Sequence, residues 1–378
     1  MCAKISHMDK VLLGRRLAEA RELAGMTQDA VARALKVDRA AISHLERGDR
    51  NLRVPELVTL AQLLGRPLSF FVEPPVQAAV NRRAAPHAEH DSTLALDVEV
   101  DQFAGDVRTL LAMGLLTSAD RDPSARTPRT HLEAERAATR FRREAELGDG
   151  PVGDLGRVCE VFGLYTWAAA LGRSGPDGAC VEVEADGRVA AATVVNGDAD
   201  SGRRRMTLAH ELGHWLFGDA YDAQAGLDAE KWIDSFAIHF LAPRPGVTRV
   251  WGEHSERSVR DRALAVGVEF RLSWTAAIGQ LRNLDLITHE EREQLATDDP
   301  KRGDYLRLAL SWPDELAAPY LSPVYVAACL NGYAAGSLTA ARTLELLHGL
   351  LTIDDLPHRL DDESRLRRAF EGHEALPR

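Results

Sequence analysis

Apolar positions at the start of the chain recur at helical spacing: Leu12, Leu13, Leu17 and Leu23, then Val31 and Leu35, then Ile42 and Leu45. That period is helical, and Gly25, Gly48 and Gly65 fall where it breaks, so residues 1–72 read as a run of short helices. After Phe70-Phe71 the stretch EPPVQAAVNRRAAPHAEHDS has no amphipathic period and reads as a linker. A helical patch near 98–113 and a loop at RDPSARTPRT follow. From His131 the pattern changes to two helices, HLEAERAATRFRREAEL and residues 155–162, and then to the extended runs LYTWAAAL, ACVEVEA and GRVAAATVVN. The turn Ala185-Asp186-Gly187 between the last two is a hairpin signal. Helical spacing resumes near Arg203 and persists toward the C-terminus. SERSVRDRALAVGVEF and WTAAIGQLRNLDLI form two amphipathic segments, with Ser273 placed as an N-cap between them, a helix-turn-helix in outline.

The expected fold is therefore mainly α with a small α+β domain. Residues 1–72 form a five-helix domain, 73–130 a linker with a helical segment, 131–253 an α+β domain with a small sheet, and 254–378 a helical C-terminal domain of no assigned role. A length of 378 residues suits two or three cores rather than one. Hydrophobic residues at 45% and charged residues at 27% are ordinary for a globular protein and exclude a fibrous or disordered chain. No apolar run reaches the roughly 18 residues that cross a bilayer, and MCAKISHMDK lacks the apolar segment of a secretory signal, so a cytoplasmic protein with no membrane partner is expected. Cys2, Cys159, Cys180 and Cys329 are scattered, without CxxC spacing, and read as reduced thiols.

Charge divides unevenly. Residues 1–72 carry twelve Lys/Arg against eight Asp/Glu, a net +4, so with an overall charge of −11 the rest of the chain carries −15. A basic end on an acidic body suits contact with nucleic acid through one small module.

Within that module, residues 27–48 read TQDAVARALKVDRAAISHLERG. Thr27 is placed to cap a helix that turns Ala30, Val31 and Leu35 inward, and Asp38 to cap a second whose Ile42 and Leu45 face the core. Arg39, Ala40, Ser43 and His44 are left on the exposed face, the positions of a recognition helix entering a major groove. Arg47 and Arg50 read either as phosphate contacts or as solvated charge, and Glu46 as the internal partner of an arginine. The Thr-Gln start, the Ile-Ser-x-Leu-Glu-Arg-Gly ending and PELVTLAQLLGRPLSFF together resemble an XRE/Cro-type helix-turn-helix domain. The resemblance implies double-stranded operator DNA as partner, Gln28 at a phosphate, and Arg39, Ala40, Ser43 and His44 against base edges. A module this small implies a homodimer on two half-sites.

The strongest chemical motif is His210-Glu211-Leu212-Gly213-His214 within MTLAHELGHWLF. Histidines four apart share one helix face and can direct two imidazoles at one ion, while Glu211, just off that face, is placed to take a proton from water. Gly213 lets a neighbouring helix approach. Sixteen residues beyond His214, the segment DAEKWIDSFAIHFLAP offers Glu230 as third ligand, and Asp234, one turn on, as an acceptor for an imidazole N–H. Two histidines and one carboxylate leave a position for water, as catalytic Zn2+ requires. Asp219, Asp222 and Asp228 are rival ligands in the intervening segment, Tyr221 is a candidate for stabilising an oxyanion, and His239 is expected to be a packed core residue rather than a donor to substrate.

RRRMTLAHELGHWLF, followed by Glu-x-x-x-Asp-x-Phe-Ala and Leu-Ala-Pro, resembles the ImmA/IrrE family of zinc metallopeptidases. The family shows Ala-Asn where this chain has Ile233-Asp234. The resemblance implies a zincin-like (gluzincin-type) domain, zinc-dependent peptide hydrolysis with Glu211 as proton acceptor, and a repressor protein, separate or this chain itself, as substrate. The strand ending Val194-Val195-Asn196 is expected at a sheet edge beside the metal, where an extended peptide adds to the sheet. Two other readings stay open: a non-proteolytic regulator whose zinc is sensor or staple, and an antitoxin-like protein-binding module.

Overall fold

The computed structural model describes residues 10–66, 68–72, 81–83, 90–119, 122, 125–218, 227–311 and 313–359. At the N-terminus, α1 (Lys10–Leu23), α2 (Gln28–Leu35), α3 (Arg39–Glu46), α4 (Val54–Leu64) and α5 (Leu68–Val72) form the expected five-helix unit. Its core is Leu13, Leu17, Val31, Ile42, Leu45, Leu60 and Phe71, all buried; five of these belong to the apolar set the helical spacing marks out, whose Leu12, Leu23 and Leu35 are only half-buried. Thr27 Oγ1 accepts from Ala30 N at 3.2 Å and Asp38 Oδ1 from Ala41 N at 2.7 Å, so both predicted caps start their helices.

After β1 (Asn81–Arg83) comes α6 (His90–Ala112), then α7 (His131–Glu144), α8 (Leu155–Val161), β2 (Leu164–Ala169), β3 (Gly178–Ala185) and β4 (Arg188–Asn196). Then α9 (Ser201–Phe217) and α10 (Leu227–Leu241) carry the histidines and carboxylates singled out above. The chain continues through α11 (Arg244–Glu253), α12 (Val259–Glu269), α13 (Trp274–Asn283), α14 (His289–Ala296), α15 (Arg302–Arg307), β5 (Tyr320–Leu321), α16 (Pro323–Ala334) and α17 (Ala340–Leu346).

The sheet order is β1-β3-β4-β2-β5. β3 and β4 form the predicted hairpin, closed at Ala185↔Arg188 with Asp186 (φ 51°) and Gly187 (φ 73°) in the left-handed region that a two-residue turn needs. β2 runs parallel to β4, Leu164 opposite Ala191 through Ala169 opposite Asn196. β4 is thus an interior strand, not the expected edge. The reason is readable in VAAATVV, a continuous apolar run suited to a strand covered on both faces and flanked on both sides. Ala191 and Val195 face the layer of α8, α9 and α10, while Ala190, Ala192 and Val194 face the layer of α6, α16 and α17.

Two segments outside the expected α+β domain prove to be parts of its core. Leu96, Val100, Phe103, Ala104, Val107 and Leu110 make an apolar stripe along α6 that lies on the sheet, so the helical patch after the linker is a core layer. Beyond residue 253, Ala263, Val266, Ala277, Ile278 and Leu281 join the same apolar cluster as Leu212 and Phe236, and β5 pairs with β2. Position 253 therefore falls inside one core rather than between two. The helix-turn-helix unit is fastened to α6: Arg16 pairs with Asp101, and Arg66 Nη1 donates to Glu99 at 3.0 Å and to Gln102 at 3.2 Å. Cys159, Cys180 and Cys329 are buried and form no disulfide among the described residues. Among the described residues, no helix is long and apolar enough to cross a membrane.

Candidate metal centre and nucleic-acid interface

α9 is buried over nearly its whole length and ends at Gly218, whose left-handed φ of 69° lets its N–H return to His214 O at 3.1 Å. α10 crosses α9 at Gly213. A Cβ on Gly213 would stand 3.0 Å from both Ile233 Cγ2 and Phe236 Cδ1, so glycine sets the approach that brings the carboxylates of α10 over the imidazoles of α9. His210 Nε2 lies 2.9 Å from His214 Nε2 and 3.2 Å from Glu230 Oε2, and His214 Nε2 lies 3.5 Å from Glu230 Oε1. Behind them, His210 Nδ1 is 2.8 Å from Asp234 Oδ1. The ring N–H at Nδ1 donates to that carboxylate, the arrangement that would leave Nε2 as the nitrogen to bind a metal once its own proton is lost.

The donor set fits a divalent cation. Imidazole nitrogens 2.9 Å apart need a proton or a cation between them, and each of the three residues offers one ligand atom within 4.8 Å of the others. Ligand atoms on tetrahedral zinc, each about 2.0–2.1 Å from the metal, are separated by about 3.3 Å, which the observed 2.9, 3.2 and 3.5 Å bracket. Burial opposes protonation of His210, but hydrogen bonds to Asp234 and Glu230 and the charge of Glu211 outweigh it and raise its pKa. Hydrogen bonds from His210 and His214 hold the half-exposed Glu230 carboxyl far below the usual range. Glu211 is buried, 1% exposed, beside this cluster.

A cleft of about 730 Å³ opens onto Glu230 and Asp234, with Met206, Ile238 and Ala276 among its apolar lining and Asp177 and Arg203 at one end. His131 also lines it, its Nδ1 2.8 Å from Ser235 Oγ and its ring edge-on to Trp232. Burial, then the charge of Lys231, lowers the His131 pKa, so the ring is neutral at pH 7. Sequence spacing offers no hint of this histidine in the cleft, because it meets Ser235 across 104 residues. His239 is the packed residue expected: buried, with Gln280 Nε2 3.1 Å from its Nδ1 and its pKa pushed down to about 4, chiefly by burial. Asp219, Tyr221 and Asp222 lie outside the described residues, as does the side chain of Asp228.

In the helix-turn-helix unit, Arg39, Ala40 and His44 stand exposed on α3, and Ser43 is half-buried beside them. Arg47 joins the same surface, its Nη1 donating to Ser43 Oγ at 2.9 Å and its Nη2 lying 3.1 Å from His44 Nδ1. Gln28 is placed differently from the other predicted contacts: its Nε2 donates to Glu46 Oε2 at 2.6 Å, within the domain. Glu46 also accepts from Arg21 Nε at 2.6 Å, the internal pair expected of it. Arg50 Nη2 donates to Glu56 Oε1 at 2.8 Å, a pairing within the domain.

Residues 17–71 match the helix-turn-helix family, a segment that spans α2 to α4 with the second half of α1 and most of α5. Comparison with curated proteins gave no match.

Proposed function

We propose that the chain is a transcriptional regulator that joins operator binding to zinc-dependent endopeptidase activity on a protein, either a separate repressor or this chain itself, in a stress, mobile-element or antiphage response. Its helix-turn-helix supports a regulator that binds double-stranded DNA, and a homodimer on two half-sites is the arrangement a module of this size uses. Such a protein works in the cytoplasm, at the nucleoid.

One observation carries the peptidase reading: two imidazoles from one helix and a carboxylate from the next converge within 4.8 Å beside a cleft, with Asp234 fixing the His210 ring from behind. His210, His214 and Glu230 would hold Zn2+ in a zincin-like (gluzincin-type) site, and zinc, when bound, supplies Lewis acidity toward water and a peptide carbonyl. Glu211 takes the proton released by the attacking water and returns it to the leaving amine nitrogen. Asp234 keeps the His210 Nε2 lone pair aimed at the metal position. The apolar lining of the cleft excludes water from the side chains of an extended substrate.

Glu211→Gln removes the proton acceptor and keeps all three ligands. Zinc-loaded protein is to be incubated with a fluorogenic peptide library and with the repressor encoded nearest to it. Wild-type cleavage that disappears in Glu211→Gln, at unchanged zinc stoichiometry, is expected. Equal cleavage by both proteins sinks the reading, and a zinc sensor is what remains if neither cleaves while His210→Ala alone alters operator binding.

A further inference from the structure

The sheet has an edge that ends at the cleft, and the chain already sits on it. β3 pairs with β4 over its full length, whereas on its other side, among the described residues, it meets only β1, with Asn81 opposite Cys180, Arg82 opposite Ala179 and Arg83 opposite Gly178. Asp177, the residue before β3, lines the cleft that holds Glu230 and Asp234. A Cβ on Gly178 would stand 2.8 Å from Thr207 Cγ2, so β3 begins against α9 within one turn of His210.

Direction matters as much as position. β1 is antiparallel to β3, so the backbone advances from Cys180 toward Gly178 and leaves the ladder at the cleft end. Any extended polypeptide seated this way delivers the residues that follow it toward the metal ligands. Main-chain pairing of this kind gives affinity without demanding a particular sequence.

From this geometry we propose that the outer edge of β3 at residues 178–180 is the seat of an extended polypeptide substrate, and that Asn81–Arg83 is a built-in occupant that competes with it. The link between the DNA-binding unit and the body thereby restrains its own peptidase. The strand is covalently tethered, and a short tether sets an effective concentration of order millimolar, so an incoming peptide of moderate affinity loses the competition until the strand is drawn off. Movement of the helix-turn-helix unit relative to α6 is the event that would draw it off. The consequence for cleavage rests on the peptidase reading, but the occupancy itself does not.

Consecutive N–H groups of a strand point to opposite edges, so one of Arg82→Pro and Arg83→Pro deletes a bond to β3 while the other leaves it in place. Both are to be made in the full-length zinc-loaded Glu211→Gln protein, with a labelled synthetic peptide of residues 76–88, VQAAVNRRAAPHA, as probe. Its Kd, read by fluorescence anisotropy, is expected to fall tenfold or more in at least one proline variant. In that variant, amide exchange at residues 178–180 speeds up and slows again under saturating peptide. An unchanged Kd in both variants overturns the proposal, and so does tighter binding with no change in exchange at 178–180, which would place the peptide elsewhere. Because no readout is catalytic, a protein that passes this test yet cleaves nothing would retire the peptidase reading alone.

Discussion

Asp234 holds His210 from behind: its Oδ1 lies 2.8 Å from Nδ1, while Nε2 of the same ring faces His214 at 2.9 Å. One carboxylate on α10 thereby sets the tautomer of a ring on α9, and the coupling depends on how closely the two helices approach. Removing it should leave the fold intact and loosen the metal. Asp234→Ala is expected to lower zinc affinity by about 10–100-fold, whereas Asp234→Asn, which keeps an acceptor oxygen, should retain most of it. Chelator-competition titration measures both, and equal affinity in Asp234→Ala and wild type would show that the contact does not orient a ligand.

The approach itself is testable at Gly213. Replacing a mid-helix glycine by alanine normally gains about 1 kcal/mol, but here the added methyl meets Ile233 and Phe236 at 3.0 Å, so Gly213→Ala should be close to neutral. Gly213→Val adds bulk that neither neighbour can yield to. A loss of about 1–3 kcal/mol in urea denaturation, together with weaker zinc binding, is the expected outcome.

His239 supplies a pH dependence distant from the metal. Its folded pKa of about 4 lies below the ordinary 6.5, with burial the leading cause and Glu135, Arg244 and His131 the charged or titratable groups acting on it. Above pH 6.5 neither state binds the proton and there is no penalty. Between pH 6.5 and 4 the unfolded chain takes a proton that the folded one refuses, so stability falls as pH falls, by an amount on the order of 2–3 kcal/mol. His239→Gln should flatten this slope in denaturation curves run from pH 7 to 4. An unaltered slope would assign the acid sensitivity to other groups.

On DNA, the exposed residues of α3 and the Glu56-paired Arg50 should separate cleanly. Arg39→Ala with His44→Ala is expected to abolish operator-specific shifts while leaving weak, sequence-independent binding in place. Arg50→Ala should instead lower the thermal stability of the N-terminal unit, since it breaks the pair with Glu56, and leave sequence preference unchanged. Regulation in cells that survives the double substitution would instead favour a protein-binding role for this domain.

Features set by neighbours along the chain are legible in the amino-acid sequence by itself. The caps Thr27 and Asp38, the buried Val31, Ile42 and Leu45, the Asp186-Gly187 turn, and His210 and His214 on one helix face all follow from periods of 3.6 and 2 and from local backbone chemistry. Glu230 and Asp234 are legible more weakly, through their own one-turn spacing and the length of chain before them. What the tertiary structure decides is everything that depends on which surfaces meet. α6 is a layer of the core because its apolar stripe finds the sheet, β4 is interior because β2 crosses to pair beside it, and His131 reaches Ser235 across 104 residues. The strand Asn81–Arg83 sits within a stretch that carries no period at all, since main-chain hydrogen bonds to an open edge ask nothing of side chains and leave no mark in the sequence.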